Sequence, residues 1–170
     1  MQAYPKIPKS EEEFILSTKN CAEFISERRY LTSPMSKEEA SFPLAFSVAV
    51  YKDIEQFERL LRAIYQPQNL YCVHIDRKSS LLLHEAIHSI VNCLENVFVS
   101  SRNDVIKWGD YSVLLPQLNC MRDLNEKRNN RWKYYMDLSA QEFPLRTNWE
   151  LVQIAKIFNG SNDISGSLSR

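Results

Sequence analysis

The 37 residues from Phe42 to Lys78, FPLAFSVAVYKDIEQFERLLRAIYQPQNLYCVHIDRK, constrain the fold more than any other stretch, because they spell strand, helix and strand without interruption. Leu44 to Val50 is a near-continuous apolar run of β-formers, the pattern of a strand buried on both faces of a parallel sheet. From Ile54 to Tyr65 the period changes. Ile54, Phe57, Leu60, Leu61 and Ile64 form one helical stripe against Glu55, Glu58, Arg59 and Arg62, and Pro67 stops the helix. Leu70 to Ile75 is a second strand, and a parallel pair joined this way crosses over right-handed. The polar residues that follow each strand, Tyr51 and Lys52, then Asp76, Arg77 and Lys78, therefore share the carboxyl edge of the sheet, where α/β folds bind ligands.

The same plan continues downstream. LLLHEAIHSIVNCL has helical spacing at Leu83, Ile87, Ile90 and Leu94, and NVFVS reads as a third strand. Residues 101–110, SRNDVIKWGD, are polar and form a loop on the active face. Tyr111 to Leu124 predicts a helix with Pro116 in its first turns, and Tyr134 to Leu138 a fourth strand. A last helix opens at Thr147 or Asn148. Upstream, a helix from Ser10 or Glu11 through Phe14, Cys21 and Ile25 ends before Tyr30. The chain divides into a lead and helix (1–41), an α/β unit (42–164) and a tail without apolar period (165–170). The fold class is α/β, Rossmann-like, with a mostly parallel sheet and flanking helices.

Composition narrows the function. With 44% hydrophobic residues in a 170-residue chain, a core of domain size is available. Lys+Arg and Asp+Glu balance at 21 each, so no global basic field argues for nucleic acid. No run reaches the length of a membrane span, and the opening MQAYPKIPKSEEEF lacks the apolar centre of a signal peptide. The four cysteines, Cys21, Cys72, Cys93 and Cys120, are dispersed and even in number. They fit either two disulfides or buried free thiols.

Two patterns carry a competing chemistry. His84, Glu85 and His88 spell HExxH, the zinc-peptidase pattern, but the remaining histidine, His74, lies upstream in a strand, and both helix histidines fall beside or away from the apolar stripe. A solvated helix face is the simpler reading. Arg59, Arg62, Arg128 and Arg131 likewise read as solvated. Asn159-Gly160-Ser161 is an N-glycosylation sequon, and equally a helix C-cap. No Asp-x-Asp pair occurs, so the usual metal-chelating motif of nucleotide-sugar transferases is missing.

The motifs FPLAFSVAVYKDIEQFERLLRAIYQPQNLYCVHIDRKS, NCLENVFVSSR, QLNCMRDL and WKYYMDLSAQEFPLRTNWELV, in that order, resemble the core 2 and I-branching β-1,6-N-acetylglucosaminyltransferase family over roughly residues 20–164. The resemblance implies a GT-A-like fold and a metal-independent, inverting transfer from UDP-GlcNAc to O-glycan or polylactosamine acceptors. It also implies a Golgi luminal domain anchored in the membrane by a segment that this sequence does not contain. Carried over residue by residue, the donor nucleotide falls to Ala49, Val50, Tyr51, Asp76, Arg77, Lys78 and Trp108, although a loop tryptophan can equally cover a core edge. The family's disulfides carry over as Cys21 with Cys93 and Cys72 with Cys120. Ser139 stands where relatives often have another cysteine. The family's catalytic glutamate and the basic residues that neutralise the diphosphate have no counterpart here, so this chain is expected to keep the donor-nucleoside half, with no catalytic residue and no turnover alone. The other class of reading is a noncatalytic protein that binds a nucleotide sugar or a partner.

Overall fold

The computed structural model describes residues 9–127 and 131–162. Four strands, β1 (Leu44–Val50), β2 (Leu70–Ile75), β3 (Val97–Val99) and β4 (Tyr134–Ser139), form one sheet in the order β3-β2-β1-β4, with every neighbouring pair parallel. The first two strands coincide end for end with the apolar runs in the sequence. Between them lies α4 (Ile54–Ile64), and between β2 and β3 lies α5 (Leu81–Asn92). Each unit adds a strand on the same side. The chain then returns through α6 (Leu115–Glu126) and places β4 on the opposite edge of β1. The strand order thus reverses between β1 and β4, and α7 (Asn148–Phe158) follows. The sheet is Rossmann-like and flanked by helices.

Strand alternation sends side chains to two unequal layers. Leu44, Phe46, Val48 and Val50 of β1 and Tyr71, Val73 and Ile75 of β2 join the main core, with Phe57, Leu60 and Leu61 of α4 and Ile87 and Ile90 of α5. These helix side chains are fully buried, each contributing about 1.5–3 kcal/mol of apolar transfer. The opposite layer is smaller: Ala45, Leu70, Cys72, Cys120 and Leu124, with Phe98, Trp132 and Tyr135 at its margin. Ser47, His74 and Asp137 share that face by alternation.

Upstream, the sequence predicts one helix, and the structure has two, α1 (Glu11–Ser17) and α2 (Cys21–Arg28). The break is chemical. Thr18 Oγ1 donates back to the Phe14 carbonyl, and Asn20 caps the new helix by accepting the Glu23 amide. The short α3 (Lys37–Ala40) then leads to β1. Two disulfides join the parts as the resemblance implies: Cys21–Cys93 ties α2 to the end of α5, and Cys72–Cys120 ties β2 to α6.

The expected polar face of α4 is only partly solvated. Glu58 is fully buried, because α2 lies across it and brings Arg28, which with Arg62 pairs the carboxylate. Arg62 is exposed, as the sequence reading has it, and also reaches Glu58 Oε1 at 3.3 Å. Arg59 is exposed, 5.2 Å from the Phe143 ring centroid, Arg131 is exposed, and Arg128 lies outside the described residues. The helix predicted from Tyr111 opens instead as a 3-10 turn, Tyr111–Leu114, and becomes α-helical at Leu115 with Pro116 in its first turn, where a missing amide proton costs no helical bond.

Candidate functional site

A cleft of about 570 Å³ opens at the carboxyl ends of β1, β2 and β4. This is the crevice that the reversal of strand order creates, the place where open α/β sheets take their ligands. Of the seven residues expected there, Ala49, Val50, Tyr51, Asp76, Lys78 and Trp108 line it. Arg77 does not. Its side chain is exposed outside the lining, and its amide donates to the Asp104 carbonyl at 3.1 Å.

Each wall has a local cause. Asp76 continues β2: its amide donates to the Val50 carbonyl at 2.8 Å, and its Oδ1 accepts the Lys78 amide at 2.9 Å. The carboxylate is thereby fixed in place and only 7% exposed. Tyr51 follows β1 and is half exposed. Its carbonyl accepts from Ser79 Oγ, which holds the two strand ends together. Across the opening, the Ile106 carbonyl accepts Lys78 Nζ at 2.5 Å. Two residues later Trp108 is 98% exposed at the rim, so it covers no core edge.

Further lining residues escaped the sequence reading: His74 from β2, Asp137 and Ser139 from the end of β4, Glu142 just beyond it, and Gln117 from α6. Ser47 Oγ donates to Asp137 Oδ1, and Gln117 Nε2 donates to Oδ2, each at 2.5 Å. With the Ser47 proton given to Asp137, the Tyr135 hydroxyl has one proton to share between Ser47 Oγ at 2.6 Å and the Gln117 carbonyl at 3.2 Å. Asp137 is exposed by surface area, yet partial desolvation in the cleft raises its carboxyl above the ordinary value, with the bonds from Ser47 and Gln117 opposing and repulsion from Glu142 adding. Burial likewise pushes the Tyr135 phenol up to about 12. A polar residue in the otherwise apolar run LAFSVAV was the available signal, since Ser47 inside a central strand needs a partner on its own face.

Asp76, Asp137 and Glu142 face the cleft, and the cation among its lining residues, Lys78, lies 3.6 Å from Asp76 Oδ2. Such a cleft is rich in acceptors. It suits a ligand that presents hydroxyl and N–H donors, as a nucleoside does, more than it suits a bare diphosphate.

The remaining candidates sit elsewhere. His84 is half-buried on α5, while Glu85 and His88 are exposed, all three outside the cleft lining. Among the described residues no group of three or more His, Cys, Asp or Glu side chains is placed to hold a metal ion. Asn159 is the left-handed C-cap of α7 at φ 46°, exposed, with its amide donating to the Lys156 carbonyl. The cap geometry satisfies the helix end whether or not the side chain carries a glycan.

Comparison with known proteins adds a family. The Core-2/I-Branching enzyme model matches residues 44–170. The chain is 44% identical over 152 residues to a bovine beta-1,3-galactosyl-O-glycosyl-glycoprotein beta-1,6-N-acetylglucosaminyltransferase, covering 89% of this chain and 35% of that protein. A human protein of the same name is 43% identical over 153 residues, with 90% and 36% covered. A human form 3 is 39% identical over 161 residues, with 95% and 36% covered. The chain thus spans about a third of the length of the relatives it matches. With that match extending over most of its length, the chain belongs to the Core-2/I-branching enzyme family.

Proposed function

We propose that the strand-end cleft is the donor-nucleotide site of a β-1,6-N-acetylglucosaminyltransferase and that it receives the nucleoside end of UDP-GlcNAc. The observation that carries this reading is the convergence of Tyr51, Asp76, Lys78 and Trp108, from three separate stretches of sequence, on one acceptor-rich crevice. In this reading the fixed Asp76 carboxylate accepts from a uracil or ribose donor, the Val50–Tyr51 backbone reads the base edge, and the exposed Tyr51 and Trp108 rings flank it.

The transfer itself is inverting and metal-independent in this proposal, with an O-glycan or polylactosamine acceptor, in a GT-A-like domain facing the Golgi lumen. Displacement at the sugar needs a base on the acceptor hydroxyl and cations on the departing diphosphate. We assign both to family sequence that this chain does not match, so the 170-residue chain binds nucleotide and transfers nothing alone. A noncatalytic protein that binds a nucleotide sugar or a partner is the second reading.

Calorimetric titration with UDP, with ADP as control, tests the site. Incubation with UDP-GlcNAc and a core 1 acceptor tests turnover. Saturable UDP binding without transfer is expected. Equal heats from UDP and ADP overturn the nucleotide assignment, and robust transfer overturns the division of labour.

A further inference from the structure

Residues 101–108 approach the cleft as a loop without regular hydrogen-bonded structure up to Lys107, yet they are closely fastened. Asp104 has its amide, its carbonyl and one carboxylate oxygen all engaged. The amide donates to His74 Nε2 at 3.0 Å, the carbonyl accepts the Arg77 amide at 3.1 Å, and Oδ2 accepts Asn119 Nδ2 at 2.6 Å. Asn103 Oδ1 accepts the Ile75 amide at 3.2 Å, which extends the edge of β2 by one bond. Ile106 and Trp108, immediately beyond, line the cleft.

Only one of these fastenings depends on a proton that moves near neutral pH. An imidazole nitrogen can accept an N–H only when it carries no hydrogen, so the bond from Asp104 fixes His74 as neutral, with its proton on Nδ1. The ring is 1% exposed, and Nδ1 has no hydrogen-bond partner. A second proton turns Nε2 into a donor that confronts another donor, and the bond is lost.

We propose that His74 is a positioning residue: its neutral ring holds the 101–108 loop, and with it Ile106 and Trp108, against the end of β2, and its protonation releases this wall and weakens nucleotide binding. The second half rests on the donor-site reading. Burial lowers the proton affinity of the ring below that of an ordinary histidine, against Asp104 from the loop and Asp76 from the end of β2, which both raise it. On the same face β4 carries Asp137, which accepts from Ser47 and Gln117, Glu142 lines the cleft beyond it, and Lys78 after β2 is paired with Asp76. β1 presents Ala49 opposite His74. On α6, Asp123 is taken up by Ser100 and Ser101, and Arg122 donates to Asn119. The neutral ring is therefore the resting state at pH 7, and the release lies on the acid side.

Nuclear magnetic resonance of the 15N-labelled chain, without ligand, from pH 7.5 to 5, follows the His74 ring nitrogens and exchange at the Asp104 amide. Val48 and Val73 amides report the sheet. As His74 takes up its proton, protection at Asp104 should fall about tenfold while the sheet amides stay protected, as expected for one hydrogen bond lost. UDP affinity, titrated at the same pH values, should fall by about the same factor. The terminal phosphate of UDP also titrates near pH 6. It affects every variant alike, so the difference between proteins is the readout. His74→Gln places an amide oxygen where Nε2 stood and should restore protection across the range. His74→Leu should leave Asp104 unprotected already at pH 7.5. Identical pH profiles for wild type and His74→Gln, or full protection in His74→Leu, overturn the clamp. Failure of UDP to bind at any pH overturns the donor-site reading, and the Asp104 series decides the clamp independently.

Discussion

Lys78 closes back on Asp76 twice: its amide donates to Oδ1 at 2.9 Å, and its Nζ stands 3.6 Å from Oδ2. The aspartate is thereby oriented before any ligand arrives, which lowers the ordering cost of binding. Asp76→Ala should weaken UDP by roughly 10- to 150-fold, the loss of a charge-assisted bond of about 1.5–3 kcal/mol, with Asp76→Asn less affected. Titration calorimetry reads this directly. Unaltered binding in Asp76→Ala removes the residue from the site.

Non-reducing peptide mapping of protein made in an oxidising compartment should recover Cys21 with Cys93 and Cys72 with Cys120. The cross-links close loops of 72 and 48 residues of sequence separation. Losing either should cost about 2–5 kcal/mol, seen as a lower denaturation midpoint for Cys72→Ala/Cys120→Ala.

Glu58 of α4 is fully buried, and it is shared by Arg28 and Arg62. Glu58→Ala leaves both cations facing each other without it. Urea unfolding should show a loss of about 3 kcal/mol, and Arg28→Met should cost less, because Arg62 still pairs the carboxylate.

Asp123 should add an acid-sensitive contribution. Burial alone pushes its carboxyl up, but the Ser101 hydroxyl and amide and the Ser100 hydroxyl, all donating, outweigh it and hold the group below its ordinary value. A depressed carboxyl stabilises the fold above its unfolded-state value, and that stabilisation is lost as pH falls through the lower, folded-state value. Asp123→Asn should therefore cost about 1–3 kcal/mol at pH 7. The gap should narrow below pH 4 as wild type loses the same term, and parallel stability curves down to pH 2 contradict this assignment.

How far the sequence disclosed this site follows from what each kind of signal encodes. β1 and β2 were legible to the residue, because a strand buried on both faces has to be apolar throughout. Asp76 and Tyr51 followed from the strand ends. The break at Asn20 was available but subtle, since Asn20 followed by Glu23 is a capping pair set inside a continuous helical stripe. Glu58 was misread for a different reason: helical periodicity shows which face is polar, and it cannot show that another helix will bring Arg28 to that face. Asp137, Glu142 and His74 escaped because their meeting depends on β4 docking beside β1, and strand order is not written in the pattern of any one strand.

That late-arriving neighbour also sets an order of assembly. β1 finds β2 after a short helix, but its other edge pairs with residues 134–139, roughly 90 positions away along the chain. Loop closure over that span costs more entropy than either local step. In vectorial synthesis the central strand therefore waits with one edge open, and the fourth strand is the natural last event. A stall or a substitution in the β3 to β4 connection would expose an apolar, unpaired edge to other chains, so yield and aggregation, more than equilibrium stability, should register damage there.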